Sequence, residues 1–107
     1  MRAEDDAMML IRAELCERLH ALQGMTRRLS VRDFDANLSS LKLMAAAYGL
    51  VPVVRLAEAL QRAAAGGEGA CPRSLYLHRL QDAIGCERLD EEAGQAMLAS
   101  VSVRLSA

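Results

Sequence analysis

The stretch from Ala36 to Gly49, "ANLSSLKLMAAAYG", decides how this chain is read. Taken with Phe34 just before it, Leu38, Leu41, Ala45 and Tyr48 follow at separations of 4, 3, 4 and 3 residues. That is the spacing of a heptad-like helical seam. On a helix turning about 100° per residue, the four fall within about 40° of Phe34. The spacing therefore predicts a buried face carrying Phe34, Leu38, Leu41, Ala45 and Tyr48. Ser39, Leu43 and Ala46 fall at roughly 120–180°, on the far side of the same helix. With Ala47 they form a smooth outer face that lacks charge, where a surface helix ordinarily carries it. Gly49 suits the left-handed position that stops a helix, and Pro52 follows three residues later. A helix is expected from Val31 or Asp33 to Tyr48, capped by Ser30 or Asp33.

The pattern continues in both directions. Upstream, Met8, Ile11, Leu15, Leu19, Leu22 and Leu29 recur at helical spacing. They predict a helix from about Glu4 to Leu29, with Arg12, Arg18, Arg27 and Arg28 beside or away from the stripe. Downstream, Pro52 can open a third helix, because its missing N–H costs nothing in a first turn. Val53, Leu56, Leu60 and Ala64 are its expected buried side, and Arg55, Glu58 and Arg62 its outer side. "GGEG", Gly66 to Gly69, reads as a flexible turn. Pro72 is expected to begin a fourth helix with Leu75, Tyr76, Leu80 and Ile84 inward, ended by Gly85. Asp90 is expected to cap a fifth, with Glu91 and Glu92 at the positive end of its dipole and Met97, Val101 and Leu105 inward. No alternating strand of useful length and no internal repeat interrupts the series. The expected fold is all-α: an antiparallel four-helix bundle with one additional helix, spanning residues 1–107 as a single domain.

Composition narrows the function. Apolar residues make up 52% of the chain, which argues for a packed core, and only 3% are aromatic, so Leu, Ala, Val and Met must fill it. The formal net charge is −1 with both signs interspersed, so a basic nucleic-acid footprint is lacking. No apolar run reaches the ~18–20 residues of a membrane span, and the acidic start lacks a signal peptide's apolar stretch. A cytoplasmic setting is the expectation. Cys16, Cys71 and Cys86 are odd in number and widely spaced, which reads as free thiols. A zinc site would need four placed ligands, and His20 and His78 are scattered. No cofactor is implied. "DEE", Asp90 to Glu92, reads as a helix start, and "GGEG" lacks the lysine and strand of a phosphate loop. No triad can be assembled around either histidine, so the chain is not expected to be an enzyme.

One family fits the middle of the chain. The stretch resembles the signature of bacterial histidine phosphotransfer (HPt) domains, H-x-x-K-G with a second glycine ten residues after the histidine. Lys42 takes the lysine place and Gly49 that of the distal glycine. Ser39 stands where the family has its phosphoacceptor histidine, and Leu43 where it has the adjacent glycine. "GLVPVVRLAEALQRAAAGG", Gly49 to Gly67, is similar to the family's next helix. The resemblance implies a degenerate HPt-type bundle in two-component signalling. The outer face, Ser39, Lys42, Leu43 and Ala46, would receive a response-regulator receiver domain or a sensor kinase, without phosphotransfer at the usual site. A rival frame, "HALQGM" from His20 to Met25, offers His20 as an alternative phosphoacceptor, with Gln23 for the lysine and Gly24 for the glycine. By helical counting His20 and Gly24 lie opposite the Leu15 stripe, so both should be exposed. A third possibility is a structural bundle that associates with itself, for instance as a homodimer.

Overall fold

A computed structural model describes residues 2–25, 31–65, 73–86 and 88–106. Among them are five helices: α1 (Arg2–Met25), α2 (Val31–Ala47), α3 (Val51–Ala65), α4 (Arg73–Ile84) and α5 (Glu91–Ser106). No strand occurs among the described residues, so the fold is all-α. Helices α1 to α4 close a ring: α2 packs on α1 and α3, and α4 packs on α3 and α1. Helix α5 lies outside that ring, against α3 and α4. The result is a four-helix bundle with an additional helix.

Partner residues fix the directions. Arg12, early in α1, donates to the carbonyl of Cys86 beyond the end of α4, whereas Gln23 near the end of α1 lines a cleft with Arg73 at the start of α4. Those helices are therefore antiparallel, as are α2 and α3, where Arg32 and Asp35 share a groove with Ala64 and Ala65. The core is a single cluster of side chains. Leu15, Leu19 and Leu22 of α1 meet Phe34, Leu38, Leu41 and Ala45 of α2 in it. Val53, Leu56 and Leu60 of α3 and Leu77, Leu80 and Ile84 of α4 complete it. Every one of these is at most 2% exposed.

The link between α2 and α3 shows how local chemistry sets the bundle. Gly49 has φ +73°, a conformation that costs an L-residue about 1–2 kcal/mol. The Leu50 N–H donates to the Ala45 carbonyl at 2.9 Å and the Gly49 N–H to the Ala46 carbonyl at 3.2 Å. These are the two bonds of a Schellman motif, which satisfy carbonyls the helix end leaves open. The motif brings Leu50 back onto Ala45, and both are fully buried. The Leu50 carbonyl in turn accepts from Val54 at 3.1 Å, so one residue closes α2 and opens α3.

This turn overturns one expectation. Tyr48 continues the seam spacing but is 47% exposed. It stands just beyond the last helical residue, Ala47, where the backbone leaves the helical path. Leu50 fills the core place that the seam assigned to Tyr48.

The third helix begins at Val51, one residue before Pro52, and Ala64 is only half-buried. In α4 the inward residues are Leu77, Leu80, Ala83 and Ile84, while Leu75 and Tyr76 are half-buried at its edge. Helix α1 is described to Met25. The expected continuation to Leu29, with Arg27, Arg28 and the cap Ser30, lies outside the described residues, as do Pro72, the "GGEG" turn, Cys71 and the side chain of Leu105. Asp33 sits in the first turn of α2 and not at its cap.

Helix α5 is capped as expected: the Ala93 N–H donates to Asp90 Oδ1 at 2.8 Å. Val101 is buried, and Met97 packs half-buried against the core. Arg55 joins α5 to α3. It donates to both Glu91 oxygens, at 2.8 and 3.0 Å, and to Glu58 at 2.8 Å. Gly94 permits the close approach of the two helices, since a Cβ there would stand 3.3 Å from Arg55 Cγ and 3.6 Å from Pro52 Cα.

Candidate functional site

The outer surface of α2 is built by the same periodicity that builds the core. Leu38, Leu41 and Ala45 point inward and are fully buried. Ser39 and Lys42 therefore face the flank shared with α3, and Ser40 the flank shared with α1. Each flank is held by hydrogen bonds. On the α3 side, Gln61 is the hub. Its Nε2 donates to Ser39 Oγ at 2.8 Å and to Asp35 Oδ1 at 3.3 Å. Its Oε1 accepts from Lys42 Nζ at 3.0 Å. On the α1 side, Arg18 Nη1 donates to Ser40 Oγ at 2.9 Å, while Arg18 Nε pairs with Glu14 at 3.2 Å.

Between these flanks the crest of α2 is bare. Leu43 is 67% exposed, with Ala36, Ala46 and Ala47 exposed along the same surface. Asp35, Ser39, Ser40 and Lys42 are drawn sideways to Gln61 and Arg18, so the crest from Ala36 to Ala47 presents alanines and Leu43. A lone exposed leucine is ordinary on a protein surface. Here, however, it stands at the centre of a strip of small residues one helix wide. A separate open groove of ≈ 510 Å³ lies on the α3 flank near the start of α2, lined by Phe34, Asp35, Leu38, Gln61 and Ala64 among others.

The residues singled out in the sequence fall as follows. Ser39 lies in the middle of α2, half-buried, with Lys42 one turn on and both tied to the same Gln61 amide. Leu43 and Ala46 are exposed as the counting requires. His20 is exposed near the end of α1, and Gly24 is exposed one turn later. His78 is exposed on α4. Gln61 was not legible as a site residue, because its role depends on which α3 side chain faces Ser39 across the helix pair. No group of three or more metal-ligating side chains occurs among the described residues. No helix among them is long and apolar enough to cross a membrane.

Chemically, the cluster of Asp35, Ser39, Lys42 and Gln61 is a satisfied polar network, not a reactive one. Among the described residues no imidazole or carboxylate accepts from the Ser39 hydroxyl, and Gln61 engages its oxygen as an acceptor. What the surface offers is an apolar contact with a lysine at its border. No family model, no curated protein and no solved structure matches this chain.

Proposed function

We propose that this chain is an HPt-like binding module of two-component phosphorelay signalling. It docks a receiver or sensor-kinase domain on the crest of α2 and carries no phosphoryl group there. The observation that supports this reading is Ser39 in the middle of α2, with Lys42 one turn on and Leu43 bare on the crest beside them. A phosphoimidazole is a high-energy species that can return its phosphoryl group to an aspartate. A serine phosphate ester is far more stable, so a relay would stop at Ser39. Leu43 adds bulk where close approach of a partner's active-site loops would be needed. Covered by a partner, the same side chain contributes about 1.5–3 kcal/mol. The module acts as no enzyme, needs no cofactor and works in the cytoplasm with its signalling partners.

The test is a titration of the purified chain against a panel of receiver and kinase dimerisation domains. At least one should bind, and Leu43→Asp should abolish that binding, because a carboxylate would be desolvated at the contact centre. Incubation with a phosphorylated receiver should leave the chain unlabelled. Acid-labile label lost in His20→Ala would establish the rival phosphoacceptor instead. If no signalling domain binds, or if Leu43→Asp binds as the wild type does, the reading is wrong. Self-association is the second reading, favoured by Met9 and Leu10 on α1, which are 68% and 71% exposed. A concentration-dependent sedimentation coefficient, lost in Leu10→Glu, would support it.

A further inference from the structure

A second polar surface lies away from the α2 crest, where α1 ends and α4 begins. A cleft of ≈ 360 Å³ there is lined by Gln23 of α1 and by Arg73, Ser74, Leu77, His78 and Gln81 of α4. That volume is near the lower end of small-molecule sites, roughly 300–1,000 Å³. Ser74, His78 and Gln81 are separated by four and three residues, so they share one face of α4, and all three are exposed. All three line the same opening.

Arg73 gives the cleft its character. Its guanidinium lies over the Phe34 ring, 4.6 Å from the centroid. A cation held over an aromatic face in this way is attracted by the ring and can still donate through its N–H groups. The other half-buried arginines are otherwise engaged. Arg18, Arg55 and Arg79 pair with Glu14, with Glu58 and Glu91, and with Asp82, and Arg12 donates to the Cys86 carbonyl. Among the described residues, no carboxylate pairs with Arg73 and none lines the cleft. The site therefore combines a cation that pairs with no described carboxylate with a hydroxyl, an imidazole and an amide, all able to donate. A tetrahedral oxyanion with several acceptor oxygens matches that donor set, and Arg binds phosphate through paired N–H donors. We infer that this cleft binds the phosphate group of a small phosphomonoester, with Arg73 as the principal ligand and Ser74, His78 and Gln81 as supporting donors.

The probes are inorganic phosphate and methyl phosphate, each titrated into the full chain against chloride at matched ionic strength. Amide and side-chain NMR signals of Ser74, His78 and Gln81 should shift saturably, and those of Ser39 and Leu43 should not. Arg73→Gln should weaken binding by about tenfold or more, the loss expected of a charge-assisted bond worth ~1.5–3 kcal/mol. That substitution uncovers Phe34, so Ser74→Ala and His78→Ala serve as variants that leave the core untouched. Each should weaken binding. Unsaturating shifts that chloride reproduces would overturn the inference, as would acetate binding as tightly as phosphate, or phosphate affinity unchanged in Arg73→Gln and His78→Ala. A receiver that binds the α2 crest leaves this result unaffected, so the two readings fail separately.

Discussion

Replacing Gly49 by alanine tests the turn on which the whole arrangement rests. An added Cβ would meet nothing within 4 Å, so side-chain crowding contributes no cost. What remains is the backbone: at φ +73° an alanine loses about 1–2 kcal/mol. Against this, alanine restricts the unfolded chain, a gain of about 0.4–1 kcal/mol. The net is a destabilisation of about 1 kcal/mol. In a chain of this size that lowers Tm by about 4–8 °C, readable by circular dichroism at the helical minimum. Gly24 is the internal control. It lies in α1 with ordinary helical φ, and a Cβ there also meets nothing within 4 Å. Gly24→Ala should therefore stabilise, by about 0.5 kcal/mol near a helix end and up to about 1 kcal/mol in a helix interior. The same substitution has opposite signs because one backbone is left-handed and the other is not. Gly49→Asn should fall between wild type and Gly49→Ala, since asparagine enters the left-handed region more readily. If Gly49→Ala were more stable than the wild type, as Gly24→Ala should be, the left-handed turn at residue 49 and its Schellman bonds would be wrong.

Other substitutions probe the two faces of α2 and the docking of α5. Leu41→Ala empties a fully buried site and should cost about 2–5 kcal/mol in a urea titration, and a loss below about 1 kcal/mol would contradict the assigned face. Leu43→Ala should stay within about 0.5 kcal/mol of wild type in the same titration. Leu50→Ala should destabilise in the range of Leu41→Ala, whereas Tyr48→Ser should have a small effect, and equal losses would return Tyr48 to the core. Asp90 is held below its ordinary pKa by the Ala93 N–H and then by Arg88, and Glu91 by its hydrogen bonds from Arg55. A carboxylate with a depressed folded-state pKa contributes stability that is present above its unfolded value and lost as pH falls through the folded one. The anchoring of α5 should thus weaken below about pH 4. The protection factor of the Gly94 amide, measured against its intrinsic exchange rate at each pH, should fall there, and the change should shrink in an Asp90→Asn, Glu91→Gln variant.

The sequence by itself determined the helical class, the order of the elements and most of the inward residues. Period-3.6 spacing places Leu15, Leu19 and Leu22, then Phe34, Leu38 and Leu41, then Val53, Leu56 and Leu60 on single faces. All nine are buried, because burial of a helix stripe is a local consequence of periodicity. The Gly49 stop and the Asp90 cap were legible for the same reason: each is a short-range solution to unpaired backbone groups. Tyr48 against Leu50 was decided by tertiary structure, since spacing extrapolates a helix past the point where its backbone turns away. In α4 the weak stripe left Leu77 unassigned, because half-buried Leu75 and Tyr76 compete with it for the same face in sequence. The surface was less legible still. Ser39, Lys42 and Leu43 could be placed outward by counting, but Gln61, Arg18 and the stacking of Arg73 on Phe34 join residues that are far apart along the chain. Spacing within one helix fixes an angle about its own axis. Which side chain of a neighbouring helix answers that angle depends on how the ridges of the two helices interdigitate, and that is settled only when the bundle closes.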